Sequence, residues 1–123
     1  MSGTSVSRYA KGVMGEDAAC AYLSRQGMRM VCRRYRGGGG EIDLIMLDGD
    51  VLALVEVKTR EKGNCQTAQW AVTPAKQRRI VSAARAYLGQ HPEHSGRLIR
   101  FDVVTVAPDG VCHLPNAFSG TEW

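Results

Sequence analysis

Residues 40–60, GEIDLIMLDGDVLALVEVKTR, constrain the fold more than any other stretch of this chain. Two runs rich in Ile, Leu and Val, 41–47 and 51–60, are separated by Asp-Gly-Asp, a pattern typical of a β-hairpin with a tight turn. The apolar runs nevertheless contain four charged residues, Glu41, Asp43, Glu56 and Lys58. Two strands that are apolar enough to be buried therefore carry charge that requires an explanation.

The alternation of side chains along a strand groups these charges. Successive side chains point to opposite faces, so Glu56 and Lys58 share one face of the second strand. Glu41 and Asp43 likewise share one face of the first strand. The question is therefore whether the two acidic faces coincide.

The length of the turn decides which acidic residues meet. A loop of residues 49–50 places Asp43 opposite Glu56. A loop of residues 48–49 instead places Glu41 opposite Glu56. Either two-residue loop leaves all the charged groups on one face, and a three-residue loop moves Asp43 to the other. The sequence leaves these alternatives open.

A shared acidic face is typical of a cation site. Directly opposed side chains have Cβ atoms about 5 Å apart, so two carboxylates repel unless positive charge lies between them. Mg²⁺ takes oxygen ligands, often one or two carboxylates with water and a substrate phosphate. Lys58 could then activate water or stabilise charge on a phosphate. The alternative is a salt-bridged outer face in which Lys58 pairs with Glu41 or Glu56.

The segment before the hairpin predicts a helix and a strand. A helix is expected over residues 5–26, ended by Gly27, and a strand over 28–36. Residues 37–40, all glycine, are expected to form a mobile connection. The apolar residues at helical spacing in the first helix are Met14, Ala18, Ala21 and Tyr22.

The segment after the hairpin predicts a second helix. Residues 61–72 are expected to form a loop, with Trp70 packed back onto the core. Thr73 and Pro74 then give an N-cap residue followed by proline at the first helical position. The apolar stripe of this helix consists of Ile80, Ala83, Ala84, Tyr87 and Leu88.

The order of these elements predicts an α/β fold with a mixed central sheet flanked by helices. LIRFDVVTVA at 98–107 follows the second helix as a strand, which makes a βαβ unit with parallel strands. A short edge strand, VCHL at 111–114, comes next, and the tail after Pro115 is expected to be irregular. We interpret residues 1–123 as a single domain with a core over about 9–107.

Charge and composition permit a phosphate-bearing partner, and the alternative is a mildly basic protein whose arginines are solvated. The net charge is +4, and the arginines occur in clusters that include Arg33, Arg34 and Arg36. The sequence has no apolar run near the length of a membrane span and no hydrophobic segment typical of a signal peptide, so we expect a cytoplasmic protein. The four cysteines are scattered, and we interpret them as free structural thiols.

Two further groups of polar residues are interpreted as structural. Arg100 and Asp102 are two residues apart in the last long strand, which predicts an ion pair on one face. His91, His94 and His113 lack the spacing of metal ligands and are expected to be scattered on the surface.

The motifs resemble a known family. An acidic residue in one strand followed by Glu-x-Lys in the next resembles the PD-(D/E)xK nuclease core. GEDAACAYL, GEIDLI, VEVKTR, VTPAKQRRI and RFDVV, in this order over roughly residues 9–107, resemble the YraN-like family of uncharacterised bacterial proteins. That family is related to archaeal Holliday junction resolvases. The resemblance implies a restriction-endonuclease-like fold.

The resemblance also implies a catalytic site. Asp43 and Glu56 would be metal-binding carboxylates for Mg²⁺ or Mn²⁺, Lys58 the catalytic lysine, and Glu16 the helical glutamate that completes the metal site. Ile42 stands where the motif name has proline, and residues 61–71 match only loosely. This loose match concerns the choice of substrate more than the chemistry.

The implied activity is that of an endonuclease acting on branched or structured DNA. The alternative is a non-catalytic nucleic-acid-binding or adaptor protein that retains the nuclease fold. A homodimer is expected by analogy with resolvases, which cut two symmetric strands. The residues expected to contact the DNA backbone are Arg36, Arg60, Lys76, Gln77 and Arg79.

Overall fold

The computed structural model describes residues 8–65 and 72–120, with side chains from residue 12 onward. The predicted α/β class is confirmed. Trp70 and residues 5–7 of the expected first helix lie outside the described residues. No helix within the described ranges is long and apolar enough to cross a membrane. The elements are α1 (Arg8–Arg25), β1 (Arg29–Gly37), β2 (Gly40–Asp48), β3 (Val51–Thr59), α2 (Pro74–Gln90), a 3₁₀ turn (Pro92–His94), β4 (Ile99–Ala107) and β5 (Gly110–Phe118).

The described strands form one mixed sheet in the order β1-β2-β3-β4-β5. β3 and β4 are parallel, because α2 carries the chain between them, and every other neighbouring pair is antiparallel. The predicted βαβ unit is therefore confirmed. The two helices cover opposite faces of the sheet, as the separate sets of buried residues beneath them show.

The β2–β3 turn selects one of the three loop alternatives. Asp48 pairs with Val51 and Leu44 with Val55, so the loop consists of residues 49–50. Gly49 has a φ of 61°, a left-handed conformation that glycine adopts without strain. The 48–49 loop and the three-residue loop are both wrong, and the observed register places Asp43 beside Glu56.

Each face of the sheet has its own apolar core. The α2 face packs Ile45, Leu54 and Val103 against the helix, whose buried residues include Ile80 and Tyr87. The α1 face contains Leu44, Val55 and Val104, together with Ala19 and Leu23 of the helix. Burial of each large apolar side chain contributes about 1.5–3 kcal/mol to folding. Because both faces are covered, the central strands are apolar on both sides, and the charges of the hairpin lie toward the strand ends.

The predicted apolar stripe of α2 is confirmed, whereas that of α1 is wrong at Met14 and Ala21, although Tyr22 packs against the core. Met14 is 61% exposed and Ala21 is exposed, while Ala19 and Leu23 are fully buried. The buried row begins at Gly15, where a Cβ atom would overlap the Thr59 side chain of β3. α1 therefore packs through small residues at i and i+4, and the glycine is required for close approach.

The glycine run is a packed turn, which corrects the expectation of a mobile connection. Gly37 pairs with Gly40, and Gly38 and Gly39 close a two-residue turn with φ of 60° and 79°. A Cβ atom at Gly40 would overlap the Arg79 carbonyl oxygen of α2. Glycine is required here by backbone contact between the hairpin and the helix.

The C-terminal segment is more regular than expected. β5 continues through Pro115 to Phe118 instead of ending at residue 114. Proline is tolerated because β5 is an edge strand and does not need every N–H for the ladder. Phe118 stacks on Phe101 with ring centroids 4.8 Å apart, which attaches this end of the chain to the core.

Two of the cysteines are not free thiols, which corrects the interpretation of the sequence. Cys65 and Cys112 form a disulfide across a sequence separation of 47 residues. The backbone N–H of Cys65 also donates to Asp109 in the β4–β5 turn at 2.9 Å. Cys20 and Cys32 remain free. The bond fastens the segment after β3 to β5, and no spacing in the sequence predicts such a contact between distant elements.

Candidate active site

The acidic site lies where β2 and β3 stop pairing. Their last paired residues are Leu44 and Val55, and beyond this point the N–H of Val57 donates to Oδ2 of Asp43 at 2.7 Å. A side chain thus supplies the acceptor for a β3 amide that the neighbouring strand leaves unpaired. The separation of the two strands therefore fixes the position of the Asp43 carboxyl.

The opposite side of β2 is also irregular at Asp43. β1 pairs with β2 at Arg33 and at Tyr35 but not at the intervening Arg34. Arg34 has a φ of 54°, an uncommon conformation for a residue with a side chain. Asp43 therefore lies at a gap in the pairing of β2 with both of its neighbouring strands.

Asp43 and Glu56 form a carboxyl pair. Burial raises the pKa of Asp43, and the hydrogen bond and negative charge of Glu56 raise it further, to about 8, against the opposing effects of the Val57 amide and Lys76. The side chain of Glu56 is only 12% exposed. Because two adjacent carboxylates repel when both are ionised, the metal-free pair retains a proton near neutral pH.

Two lysines accompany the pair. Nζ of Lys76, in the first turn of α2, lies 3.3 Å from Oε2 of Glu56. Lys58 follows Glu56 by two residues in β3 and so points to the same face. Burial and the positive charges of Arg60 and Lys76 lower the pKa of Lys58, despite the opposing effect of Glu56. The structure thus brings together Asp43, Glu56 and Lys58, and adds Lys76.

Glu16 is placed differently from the other acidic residues. Its carboxylate is buried and accepts a hydrogen bond from Nε of Arg34 at 2.8 Å, with Nη2 of Arg33 at 3.7 Å. Within residues 8–65 and 72–120, no three His, Cys, Asp or Glu side chains converge as a metal site. The structure therefore does not bring Glu16 to the carboxyl pair, and its partners are two arginines of β1.

The carboxyl pair itself suits a hard divalent cation. Asp43 and Glu56 offer oxygen donors, the raised pKa of Asp43 favours its protonated form, and Nζ of Lys76 lies 3.3 Å from Glu56. Mg²⁺ is commonly held by one or two carboxylates, with water and phosphate completing its coordination. The two residues therefore fit a Mg²⁺ or Mn²⁺ ion that would replace the proton and the ammonium as counter-charge.

Three of the residues expected to bind DNA line one shallow cleft between the glycine turn and α2. Arg36, Lys76 and Arg79 are its basic members. The Arg36 side chain is 80% exposed, and its Nε lies 3.1 Å from Oε2 of Glu41. Glu41 is therefore paired with an arginine and does not join the carboxyl pair. The cleft therefore places two arginines beside Lys76, which contacts the carboxyl pair.

The other two expected DNA contacts have backbone partners. Nε2 of Gln77 donates to the Val72 carbonyl at 2.8 Å, which holds the chain that enters α2. Nη1 of Arg60 lies 3.4 Å from the Thr59 carbonyl at the end of β3. Gln77 therefore orders the segment that presents Lys76, whereas Arg60 follows the site along the chain.

A second charged cluster lies at β4 and is fully compensated. Asp102 is completely buried and accepts hydrogen bonds from Arg100 and from the Asn116 N–H. Its Oδ2 also lies 2.8 Å from Nε2 of His113, which donates a third hydrogen bond. Burial alone would raise the pKa of Asp102, but these contacts outweigh it and hold the pKa below its usual value. The predicted ion pair of Arg100 with Asp102 is confirmed.

The expectation of scattered surface histidines is wrong for His94 and His113, whereas the His91 side chain is 39% exposed. His113 belongs to the Asp102 cluster with a side-chain exposure of 15%. His94 is buried and stacks on Tyr87 with ring centroids 5.9 Å apart. Both act as packing and hydrogen-bonding groups, because β5 pairs with β4 and the turn after α2 packs against that helix.

Comparison with known proteins assigns the chain to a family. The model of "Uncharacterised protein family UPF0102" matches residues 15–106. The chain belongs to the UPF0102 family. A UPF0102 protein of Rhodopseudomonas palustris is 44% identical over 117 residues, covering 94% of this chain and 88% of the relative. One from Cupriavidus taiwanensis is 47% identical over 113 residues, with 91% and 85% covered. A third, from Bradyrhizobium diazoefficiens, is 41% identical over 103 residues, with 84% and 76% covered.

Proposed function

We propose that this chain is a divalent-metal-dependent endonuclease that hydrolyses phosphodiester bonds in branched or structured DNA. The proposal includes a restriction-endonuclease-like core for the mixed sheet. The single observation that carries it is the hydrogen-bonded Asp43–Glu56 pair, placed on one face of the sheet with Lys58. A stability role would not require two carboxylates to face each other at an interruption of two ladders.

Each residue of the site has a defined task in this proposal. Asp43 and Glu56 would hold Mg²⁺ or Mn²⁺, and the bound metal would supply Lewis-acid stabilisation of the phosphate and a more acidic water. Lys58 orients the attacking water or stabilises charge on the phosphate. Ligation by Glu16 would require its carboxylate to leave Arg34, so the proposal rests on the carboxyl pair.

Substrate binding in this proposal is electrostatic. The basic cleft formed by Arg36, Lys76 and Arg79 lies beside the pair and would contact backbone phosphates. Affinity should then fall steeply as salt rises, with little dependence on sequence. A homodimer would present two such sites to the two strands of a junction, and the proposed compartment is the cytoplasm.

The test compares four proteins on labelled four-way junction, flap and linear duplex DNA, in Mg²⁺, Mn²⁺ or EDTA. Asp43→Asn and Lys58→Met remove the proposed ligand and the proposed catalytic lysine. Asp50→Asn is the matched control, because Asp50 is fully exposed in the hairpin turn. We expect metal-dependent cleavage by the wild type and the control, and a loss of at least about 100-fold in the two site variants.

One observation favours the alternative of a non-catalytic binding or adaptor protein. Glu16 pairs with arginines, so the described residues offer two acidic ligands instead of the three that the resemblance implies. The alternative predicts salt-sensitive DNA binding that is equal in wild type and Asp43→Asn. Binding of this kind without cleavage of any substrate would refute the endonuclease.

A further inference from the structure

Lys76 stands where helix electrostatics disfavour a cation. It is in the first turn of α2, and its N–H donates to the side chain of the N-cap residue Thr73. The N-terminus of a helix carries partial positive charge, so an ammonium there is destabilising unless an anion compensates it. No acidic residue occurs in that first turn, and the compensating anion is Glu56 of β3.

The same lysine belongs to two surfaces. Its Nζ contacts the carboxyl pair at Glu56, and the residue also lines the basic cleft that contains Arg36 and Arg79. Its side chain is 41% exposed, whereas that of Glu56 is 12% exposed. The lysine can therefore reorient through solvent while the carboxylate stays in place.

A bound metal ion changes the balance between these two surfaces. A divalent cation on Glu56 would share the carboxylate with the ammonium, and two cations at one carboxylate repel. A DNA phosphate in the cleft offers Lys76 a new anion at the moment when Glu56 becomes occupied. The contact with Glu56 and the contact with DNA are therefore alternatives for one side chain.

We propose that Lys76 is the resident counter-ion of the carboxyl pair in the metal-free chain, and that a divalent metal ion displaces it onto a DNA backbone phosphate. The inference rests on the proposed function, because it requires the pair to bind metal. It makes Lys76 a positioning residue that couples metal binding to DNA binding. Metal and DNA would then each increase the affinity for the other.

The first experiment measures Mn²⁺ binding by calorimetry without DNA. Lys76→Met removes the competing ammonium, and we expect the affinity for Mn²⁺ to rise about fivefold, the equivalent of one exposed ion pair. Arg79→Met is the matched control, since it removes a charge from the same cleft and helix but not from Glu56. Its affinity should stay within about twofold of the wild type.

The second experiment measures junction-DNA binding in Ca²⁺ and in EDTA. Ca²⁺ takes the same oxygen ligands and is used here as the metal probe. Lys76→Met should weaken DNA binding several-fold in Ca²⁺ and little in EDTA, because only the metal frees the ammonium. Arg79→Met should weaken binding equally in both conditions. Equal losses for Lys76→Met in both conditions would overturn the inference.

The outcomes separate this inference from the nuclease. Tighter Mn²⁺ binding by Lys76→Met without cleavage of any substrate supports the exchange and refutes catalysis. Unchanged or weaker Mn²⁺ binding, with cleavage intact in the wild type, overturns the exchange alone. No Mn²⁺ binding by any variant overturns both. Lys76→Arg provides a second check, because it keeps the charge and should retain an affinity near that of the wild type.

Discussion

Asp43 of β2 and Asp102 of β4 lie in one sheet but have opposite surroundings. Asp102 meets a guanidinium, an imidazole and a backbone N–H. Asp43 meets a backbone N–H and a second carboxyl, that of Glu56. As a result, the pKa of Asp102 is lowered, whereas that of Asp43 is raised to about 8.

The difference separates a structural charge from a charge prepared for a ligand. A fold that uses a buried carboxylate for stability surrounds it with donors, as around Asp102. A pair of carboxyls that lacks enough donors keeps a proton and an exposed lysine instead. Such a pair gains more from an added cation than a compensated carboxylate does.

The largest expected effect comes from making the same change at both positions. Asp102→Asn removes the anion that Arg100 and His113 share, so the free energy of unfolding should fall by about 3–5 kcal/mol. Asp43→Asn replaces a protonated carboxyl with an amide that can still accept from the Val57 N–H, so this variant should lose no stability at pH 7. Urea unfolding in EDTA measures both. Equal losses would remove the distinction between the two carboxyls.

The dependence of stability on pH should also distinguish the two carboxyls. Between pH 4 and 8 Asp43 is ionised in the unfolded chain but protonated in the folded one. The folded state then binds more protons, so the Asp43 contribution to the free energy of unfolding falls by about 1.4 kcal/mol per pH unit as pH rises. It is full below pH 4 and lost above about pH 8.

The matched control for this slope is Asp43→Asn, which cannot titrate at that position. The difference in the free energy of unfolding between the variant and the wild type should therefore grow in favour of the variant from pH 5 to pH 8. Identical pH profiles, measured by urea unfolding in EDTA, would show that Asp43 does not hold the proton.

Metal addition should stabilise one carboxyl site and not the other. A ligand that binds only the folded state at 100 times its Kd adds about 2.7 kcal/mol. We therefore expect Mn²⁺ to raise the melting temperature of the wild type, and not that of Asp43→Asn. Asp48→Asn is the control variant, because Asp48 contacts Arg100 in the other cluster. An equal shift in all three proteins would place metal binding elsewhere.

The smallest effect concerns Thr105 of β4, which pairs with Lys58 in the β3–β4 ladder. Its hydroxyl is buried without a hydrogen-bond partner among the described residues. Thr105→Val keeps the shape and removes the hydroxyl, so thermal unfolding should show a gain of about 1 kcal/mol. A loss of stability would show that the hydroxyl has a partner, and Thr105→Ser should then restore it.

The site was predictable from the sequence to the extent that it depends on strand periodicity. Asp43, Glu56 and Lys58 share a face because alternation along a strand is local geometry. The start of α2 at Thr73 and Pro74 was predictable for the same reason, since capping involves adjacent residues. The resemblance added the roles of these residues, and those roles remain proposals.

The partners of side chains on distant elements were not predictable in this way. The resemblance implies that Glu16 lies beside Asp43, yet Glu16 accepts a hydrogen bond from Arg34, whose positive φ no local pattern indicates. The sequence predicts that Lys76 contacts DNA, whereas its contact with Glu56 follows from the position of α2 on the sheet. The Cys65–Cys112 disulfide joins residues that only the docking of β5 brings together.

The sequence by itself thus determined the α/β class, the hairpin and its acidic face, and the helix that follows. Only the tertiary structure decided which turn closes the hairpin, which residues of α1 are buried, and which charges are compensated. The physical reason is the separation along the chain of the residues that interact. Periodicity and capping depend on neighbours within a few residues, whereas ion pairs, close glycine contacts and disulfides depend on the relative placement of elements far apart in the chain.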